Sequence, residues 1–419
     1  MLHRFFAAPL GRRLWAGHRW LLMGLWLLVQ GAFLLKFHGP HRANDSDLYL
    51  GYAANVVRHG GHYVFEEPLP AQELSPELPN SATFEYEHVQ RYLVYGWFLS
   101  FWLGLGTGLW GVVLGQMAAS AAAAAALYGA VRRLAGGWRV PAALATVAFI
   151  LWPDIQQFNI FILTESLFIS LSVLALAAFV RLHGGGWRAY IVLGVALLLV
   201  AKARPNGFVL TGAALLAGLE YLRQLPGRRW FWVVVGTAVL AVPLGLVVLD
   251  YQLKSYFIVE TYARGELIFG NRQWVLHPSA PLDLPPSGTG QVLRILYFAS
   301  HNFGFLLQLM LGKLFVFVSG LKPNYSLGHR LAYVLVLWPC YWLAVRGARL
   351  GSVWLLARVF LAAVPLLQAA VVMLTVDDWD VRFQAPVLPF VFALAALGAG
   401  QLLRPHLPAS GSYSAQKPV

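Results

Sequence analysis

Hydrophobic residues fall in long unbroken runs, without the alternation of half-buried strands or the three-to-four-residue spacing of surface helices. The first run, 20–37, has 18 residues, enough to cross a hydrocarbon core that needs about 17–25. Later runs cover 109–131, 140–153, 158–181, 189–202, 207–222, 230–249, 331–346, 352–375 and 383–402. They predict an all-α polytopic membrane protein with about ten transmembrane helices. Runs 140–153 and 189–202 have only 14 residues each, about 21 Å at ~1.5 Å per residue. Neighbours can bury such short helices, leaving their outer ends beside a water-filled cavity in the membrane. The plainer account is a boundary misplaced by one turn.

Charge sets the orientation. Arg132, Arg133 and Arg139 flank one short loop, Arg181 and Arg188 a second. Arg223, Arg228 and Arg229 fill a third, Arg346 and Arg349 a fourth, and Arg404 opens the C-terminal tail. Basic loops stay on the cytoplasmic side, and ten spans then return the C-terminus to the side of the N-terminus. Arg4, Arg12, Arg13 and Arg19 precede the first run. No small-residue cleavage site follows it, so it reads as a retained helix rather than a signal peptide. Residues 1–405 then form one transmembrane domain and 406–419 a disordered cytoplasmic tail. In this orientation only Glu220, of 18 Asp and Glu, falls near the cytoplasmic face. Acidic residues have little influence on topology, so their one-sidedness points to a working outer face.

Composition agrees. Of 419 residues, 58% are hydrophobic and 12% charged, with a mean hydropathy of +0.62. A soluble domain has about 25% charged residues, so a soluble enzyme and a disordered chain are excluded. The single Cys340 excludes an internal disulfide or a cysteine metal site. A formal charge of +13 would suggest nucleic acid in a soluble domain. Here the basic residues sit in loops between spans, and no nucleic acid partner is expected.

Three outer segments carry candidate chemistry. Residues 38–108 form a large first periplasmic loop holding Asp45, Asp47, Glu85 and Glu87 among other acids. Within it, Leu48, Tyr49, Tyr52, Ala53, Val56 and Val57 recur at helical spacing, predicting an amphipathic helix over 47–59. Asp45 or Asp47 caps it, and Gly60 and Gly61 stop it. A second stretch, 92–105, is apolar but too short to span and is placed at the outer interface. Paired carboxylates just beyond the first span favour a functional role over capping alone. The second segment, 250–330, is Pro-rich and then apolar over 295–321, a run interrupted by His301, Asn302, Gln308 and Lys313. A full span there would put Arg346 and Arg349 outside, so it reads as re-entrant or interfacial. The third, 377–383, packs Asp377, Asp378, Asp380 and Arg382 between two apolar runs, where they either act or anchor helix ends.

Lys202 and Arg204 end a short run in Lys202-Ala-Arg-Pro205. Cations at that depth are costly without a counter-charge or water. A phosphate suits them, since Arg offers a bidentate fork and Lys a compact charge; snorkelling to the interface is the alternative. Glu165, in Leu163-Thr-Glu-Ser166, is placed to be their partner or to hydrogen-bond between helices. Gly104-Leu-Gly106-Thr-Gly108 lacks the strand that a dinucleotide fingerprint requires and is read as a turn.

Four regions together resemble polytopic glycosyltransferases of the GT-C fold, the branch of protein O-mannosyltransferases and lipid A aminoarabinose transferases. Asp45-Ser-Asp-Leu-Tyr-Leu-Gly-Tyr-Ala-Ala-Asn55 with Gly60-Gly-His-Tyr63 resembles the family's acidic residue, interfacial helix and Gly-x-Tyr ending. Glu85-Tyr-Glu87, leading into Tyr92-Leu-Val-Tyr-Gly96, is similar to its second acidic site and second interfacial helix. Leu163-Thr-Glu-Ser-Leu-Phe168 with Ala203-Arg-Pro205 is the third region, and Arg382-Phe-Gln-Ala-Pro386 the fourth. Asp45 is followed by Ser46 where the family often has Glu, so Asp45 and Asp47 both remain candidates for the first site.

The resemblance implies a polyprenyl-phosphate-linked sugar donor at the outer face of a bacterial inner membrane. Asp45 or Asp47 would be the general base on an acceptor hydroxyl, with inversion at the anomeric carbon. Glu85, Glu87, Tyr63 and Glu165 would position substrate, and Lys202, Arg204 and Arg382 would meet the leaving phosphate. The acceptor is a glycan, a lipid or a protein, and neither metal nor cofactor is required. A lipid-linked glycan polymerase or ligase would use the same donor and centre on a late loop, for which 250–330 is the candidate. A transporter or flippase would show repeated halves, and none is found in the sequence.

Overall fold

The computed structural model describes residues 17–43, 45–59, 91–254, 256–271, 273–286, 288–322, 325–375 and 381–403. Among these residues there is no β-strand, only isolated bridges between His41 and Phe161 and between Glu266 and Val275. The first run is α1, His18–Phe37. The predicted amphipathic segment is α2, Ser46–His59, and the second interfacial stretch is α3, Leu93–Gly104. Gly96 lets the two lie against each other, since a Cβ there would fall 2.2 Å from the Tyr52 ring.

The remaining runs give α4 (Gly108–Leu134), α5 (Arg139–Leu151), α6 (Thr164–Arg181), α7 (Trp187–Ala203), α8 (Phe208–Gln224) and α9 (Arg229–Leu253). After α10 (Gln291–His301) and α11 (Phe303–Ser319) come α12 (Leu327–Ala348), α13 (Leu355–Leu374) and α14 (Leu388–Leu403). Among the described residues seven helices are long and apolar enough to cross a membrane unaided, and the α10–α11 pair makes an eighth if its halves count as one span. The chain is therefore a multi-pass membrane protein. Every expected run contains a helix, but α5, α7 and α8 have 13, 17 and 17 residues. The run 189–202 lengthens to 17 because Trp187 and Arg188 start its helix. The run 158–181 shortens, because 157–163 is a 3-10 turn and irregular chain that becomes extended at Leu163, just before Thr164.

The run 295–321 breaks at Asn302 with a bend of 106°. Asn302 holds the corner: its amide nitrogen donates to the Asp283 carbonyl at 2.7 Å, and its side-chain oxygen accepts from the Asp283 backbone N–H at 3.0 Å. On α11 the fully buried Lys313 donates to the Thr375 carbonyl and lies 4.8 Å over the Tyr262 ring. That contact ties the bent pair to the end of α13. By contrast, α9 buries none of its residues. Its apolar surface is of the kind that lipid covers.

Inside the bundle, polar groups must find partners within the protein. Gln30 of α1 donates to Gln156 at 2.7 Å, and Asn159 donates to both Gln30 and Gln156 at 3.1 Å. Ser166 of α6 donates to Asn159 at 2.6 Å. Gln116 of α4 points its amide nitrogen at the carbonyls of Asn159 and Phe161, 3.1 and 2.9 Å away, and accepts from the Tyr95 hydroxyl at 3.0 Å. These bonds pin the turn that leads into Glu165.

Close helix approach is clearest between α12 and α14. A Cβ on Gly398 would lie 2.1 Å from the Leu343 carbonyl oxygen, and one on Gly347 2.0 Å from that of Leu394. Small residues permit this contact in lipid, where van der Waals packing holds helices together. Gly398→Ala is expected to lower stability by about 1–3 kcal/mol through overpacking. Thermal unfolding in detergent reads this, and an unchanged midpoint would contradict the close crossing.

Candidate active site

The connection from α1 to α2 is stitched to the connection before α6. His41 N–H donates to the Ile160 carbonyl and Ile162 N–H to the His41 carbonyl, both at 2.9 Å. The Ser46 hydroxyl accepts from Ala43 N–H and donates to the Ile162 carbonyl, each at 2.8 Å. One backbone patch therefore sets both Asp45, just before α2, and Glu165, in the first turn of α6.

Arg204 arrives from another direction. Pro205 disfavours helix at the residue before it, and Arg204 is extended, with φ −160° and ψ 147°. Its side chain turns inward beneath α6 while Lys202, still on α7, is exposed. Arg382 comes from the short connection before α14.

Four charges meet here. Glu165, with no exposed side-chain surface, accepts from Arg204 Nη1 at 2.5 Å and from Arg382 Nε at 2.6 Å on the same oxygen, Oε1. Arg382 Nη1 donates to Asp45 Oδ2 at 2.6 Å. The side chains of Arg204 and Arg382 are 9% and 15% exposed, whereas Asp45 is 41% exposed. The chain Asp45–Arg382–Glu165–Arg204 thus runs from accessible to buried, and its four formal charges cancel. Arg204 also lies 5.7 Å over the Phe383 ring.

Tyr49 of α2 and Tyr92 flank this row, with ring centroids 5.2 Å apart. Burial pushes both hydroxyls above the ordinary tyrosine value, and Glu165 and Asp45 add to the rise while Arg204 opposes it. Both stay protonated and are hydrogen-bond donors at neutral pH.

Of the residues expected from sequence, Asp45, Glu165, Arg204 and Arg382 are brought together. Asp47 pairs instead with Arg42. Lys202 takes no ion pair among the described residues, so its surroundings differ from those of Arg204. Tyr63, Glu85, Glu87, Asp377, Asp378 and Asp380 lie outside the described residues. The site lies at the helix ends opposite those that carry Arg132, Arg133, Arg181 and Arg346.

A second polar cluster escaped the sequence reading. Asp154, 3% exposed, meets His329 Nε2 at 3.0 Å and accepts from the Tyr333 hydroxyl at 2.9 Å. Gln384, two residues beyond Arg382, lies 2.8 Å from that hydroxyl and donates to the Phe317 carbonyl at 2.7 Å. The one signal was an acid at the outer end of the short run 140–153. Its partners lie some 175 residues away in sequence.

No protein-family model and no curated sequence matches the chain. Among solved structures it is similar to ArnT from Cupriavidus metallidurans, in the apo state (TM-score 0.49) and bound to undecaprenyl phosphate (TM-score 0.51), at 14% identity in both cases. Each match covers 92% of this chain and 60% of the ArnT chain, so this chain spans about three fifths of its length. The likeness to the undecaprenyl phosphate complex is one of fold: the chain has the GT-C fold.

Removing one partner of a buried ion pair costs about 3–5 kcal/mol, because the other charge stays buried. Glu165→Gln is therefore expected to destabilise the protein by that order, since two guanidinium groups share its carboxylate. Glu165→Leu combined with Arg204→Leu should recover part of the loss. Thermal unfolding of the single and double variants checks this; equal midpoints for wild type and Glu165→Gln would rule out a buried ion pair there.

Proposed function

We propose that the chain is a membrane glycosyltransferase. It moves a sugar from a polyprenyl-phosphate donor to an acceptor hydroxyl at the outer face of a bacterial inner membrane. The observation that carries this reading is the half-exposed Asp45 carboxylate at the start of an interfacial helix, joined through Arg382 to a buried carboxylate. The fold it shares with an undecaprenyl-phosphate-bound ArnT supports the donor class. Asp45 is assigned as base rather than Asp47, because Asp47 pairs with Arg42 and takes no part in the row.

In this scheme Asp45 takes the proton of the acceptor hydroxyl as its oxygen attacks the anomeric carbon. The bond from that carbon to the phosphate oxygen breaks on the opposite side, and the polyprenyl phosphate leaves with the electron pair. Inversion follows. Charge developing on the phosphate is stabilised by a fixed cation, and Arg382 is the cation adjoining the base. The row is neutral as it stands, so a donor phosphate gains a full counter-charge by drawing Arg382 from Asp45, which releases the base as the donor arrives. Glu165, itself paired with Arg204, keeps the Nε of Arg382 anchored while its Nη1 turns from Asp45 to the phosphate. The scheme uses neither metal nor cofactor, and its acceptor is a glycan, lipid or protein hydroxyl.

The test uses purified protein offered a pool of polyprenyl-phosphate sugars, with bound lipid read by native mass spectrometry and turnover by loss of donor. Asp45→Asn is expected to bind donor but lose about 10²–10⁴ in rate, and Asp47→Asn to keep most of it. A full rate from Asp45→Asn would remove Asp45 as base. Failure of the wild type to retain any polyprenyl-phosphate lipid would overturn the donor class.

A further inference from the structure

At the end of the bundle opposite the Asp45 site, α1, α4 and α6 enclose a cavity of about 520 Å³. Along α6, Glu165 and Arg181 are separated by about 24 Å at ~1.5 Å per residue, so this cavity is distinct from the row of charges. Arg19 from α1, Arg132 and Arg133 from α4 and Arg181 from α6 line it. Among the described residues none of these four takes an ion pair. Arg132 Nε reaches the Gly137 carbonyl at 3.3 Å, and Arg19 stands 5.5 Å over the Tyr128 ring. The Tyr128 hydroxyl is in turn held by the buried His18 at 2.6 Å, fixing the wall on which Arg19 rests.

The positive-inside rule accounts for arginines at this end of the helices. It does not account for four of them, from three helices, lining one recess with no carboxylate among the described residues of its wall. Three of the four are exposed and Arg132 is half-buried, so water screens their mutual repulsion in part, and an anion seated among them relieves the rest. Arginine prefers phosphate, with its planar fork of donors. The cavity opens at a membrane boundary between spanning helices, where the phosphates of the cytoplasmic leaflet lie and where anionic lipids concentrate.

We propose that this pocket binds the phosphate-bearing headgroup of an anionic phospholipid in the leaflet opposite the Asp45 site. The assignment does not depend on the glycosyltransferase reading. A soluble phosphate shares the chemistry, and the experiment separates the two sources.

The full-length protein in detergent is titrated with cardiolipin, phosphatidylglycerol and phosphatidylcholine, and adducts are counted by native mass spectrometry. Wild type is expected to retain the two anionic lipids in preference to phosphatidylcholine. In Arg132→Gln/Arg181→Gln their affinity should fall about thirtyfold, the loss expected for two basic side chains at a charged surface. Gly129→Phe provides a second variant that keeps every arginine. Gly129 lines the cavity, and a Cβ there meets nothing within 4 Å, so the ring fills the space without displacing packing. It too should lose the lipid, and it decides the matter if the double variant fails to fold. Equal retention by wild type and Gly129→Phe would overturn the proposal. Displacement of the lipid by inorganic phosphate at comparable concentration would overturn the lipid source.

Discussion

A carboxylate with no exposed side-chain surface, shared by two guanidinium groups, is the interaction on which the Asp45 end of this bundle depends. Glu165 belongs to α6, Arg204 to the break after α7, and Arg382 to the connection before α14. These three segments lie far apart in sequence and meet on one oxygen atom. Buried ion pairs of this kind add little net stability compared with apolar packing, but they tolerate no loss of a partner. Their contribution is registration. With its Nε on Glu165, Arg382 presents its Nη1 to Asp45. A surface-accessible acid, placed by the backbone patch around His41 and Ser46, is thus tied to a charge beneath it.

Much of this was legible in the sequence, and the reasons differ by residue. Acids and cations inside apolar runs announce themselves because lipid makes them costly, which drew attention to Glu165, Lys202 and Arg204. Asp45 stood out as one of two carboxylates beyond the first span and Arg382 as part of a dense charged loop, and the resemblance to GT-C enzymes gave each a role. What the linear chain did not carry was the direction of each side chain. Lys202 and Arg204 are two residues apart and alike in charge, yet Pro205 takes Arg204 out of the helix and turns it inward while Lys202 stays on an exposed face. Helix lengths were legible to within a turn or so at most ends. The start of α6 was not, because the non-helical chain of 160–163 is as apolar as the helix that follows.

Uncharged amides were the hardest to see. Gln30, Gln116 and Asn159 interrupt or border apolar runs without any charge to mark them, and their value lies in long-range pairing. Gln116 shows why the residue type matters. Its nitrogen faces backbone carbonyls and its oxygen accepts from Tyr95, so the amide supplies both senses of hydrogen bond at once. The Asp154, His329, Tyr333 and Gln384 set follows the same logic. Polar residues scattered along the chain gather at the Asp45 end of the helices, where the connections need fixing.

The brevity of α5 bears on the surrounding bilayer. Its 13 residues rise about 20 Å, against roughly 30 Å of hydrocarbon, and Leu144 and Leu151 on its flank are exposed. Lipid beside that flank has to thin or the protein has to sink, at a cost of fractions of a kcal/mol for each ångström of mismatch. Acyl-chain length thereby becomes a physical variable acting on this molecule, with thinner membranes relieving a strain that thicker ones impose.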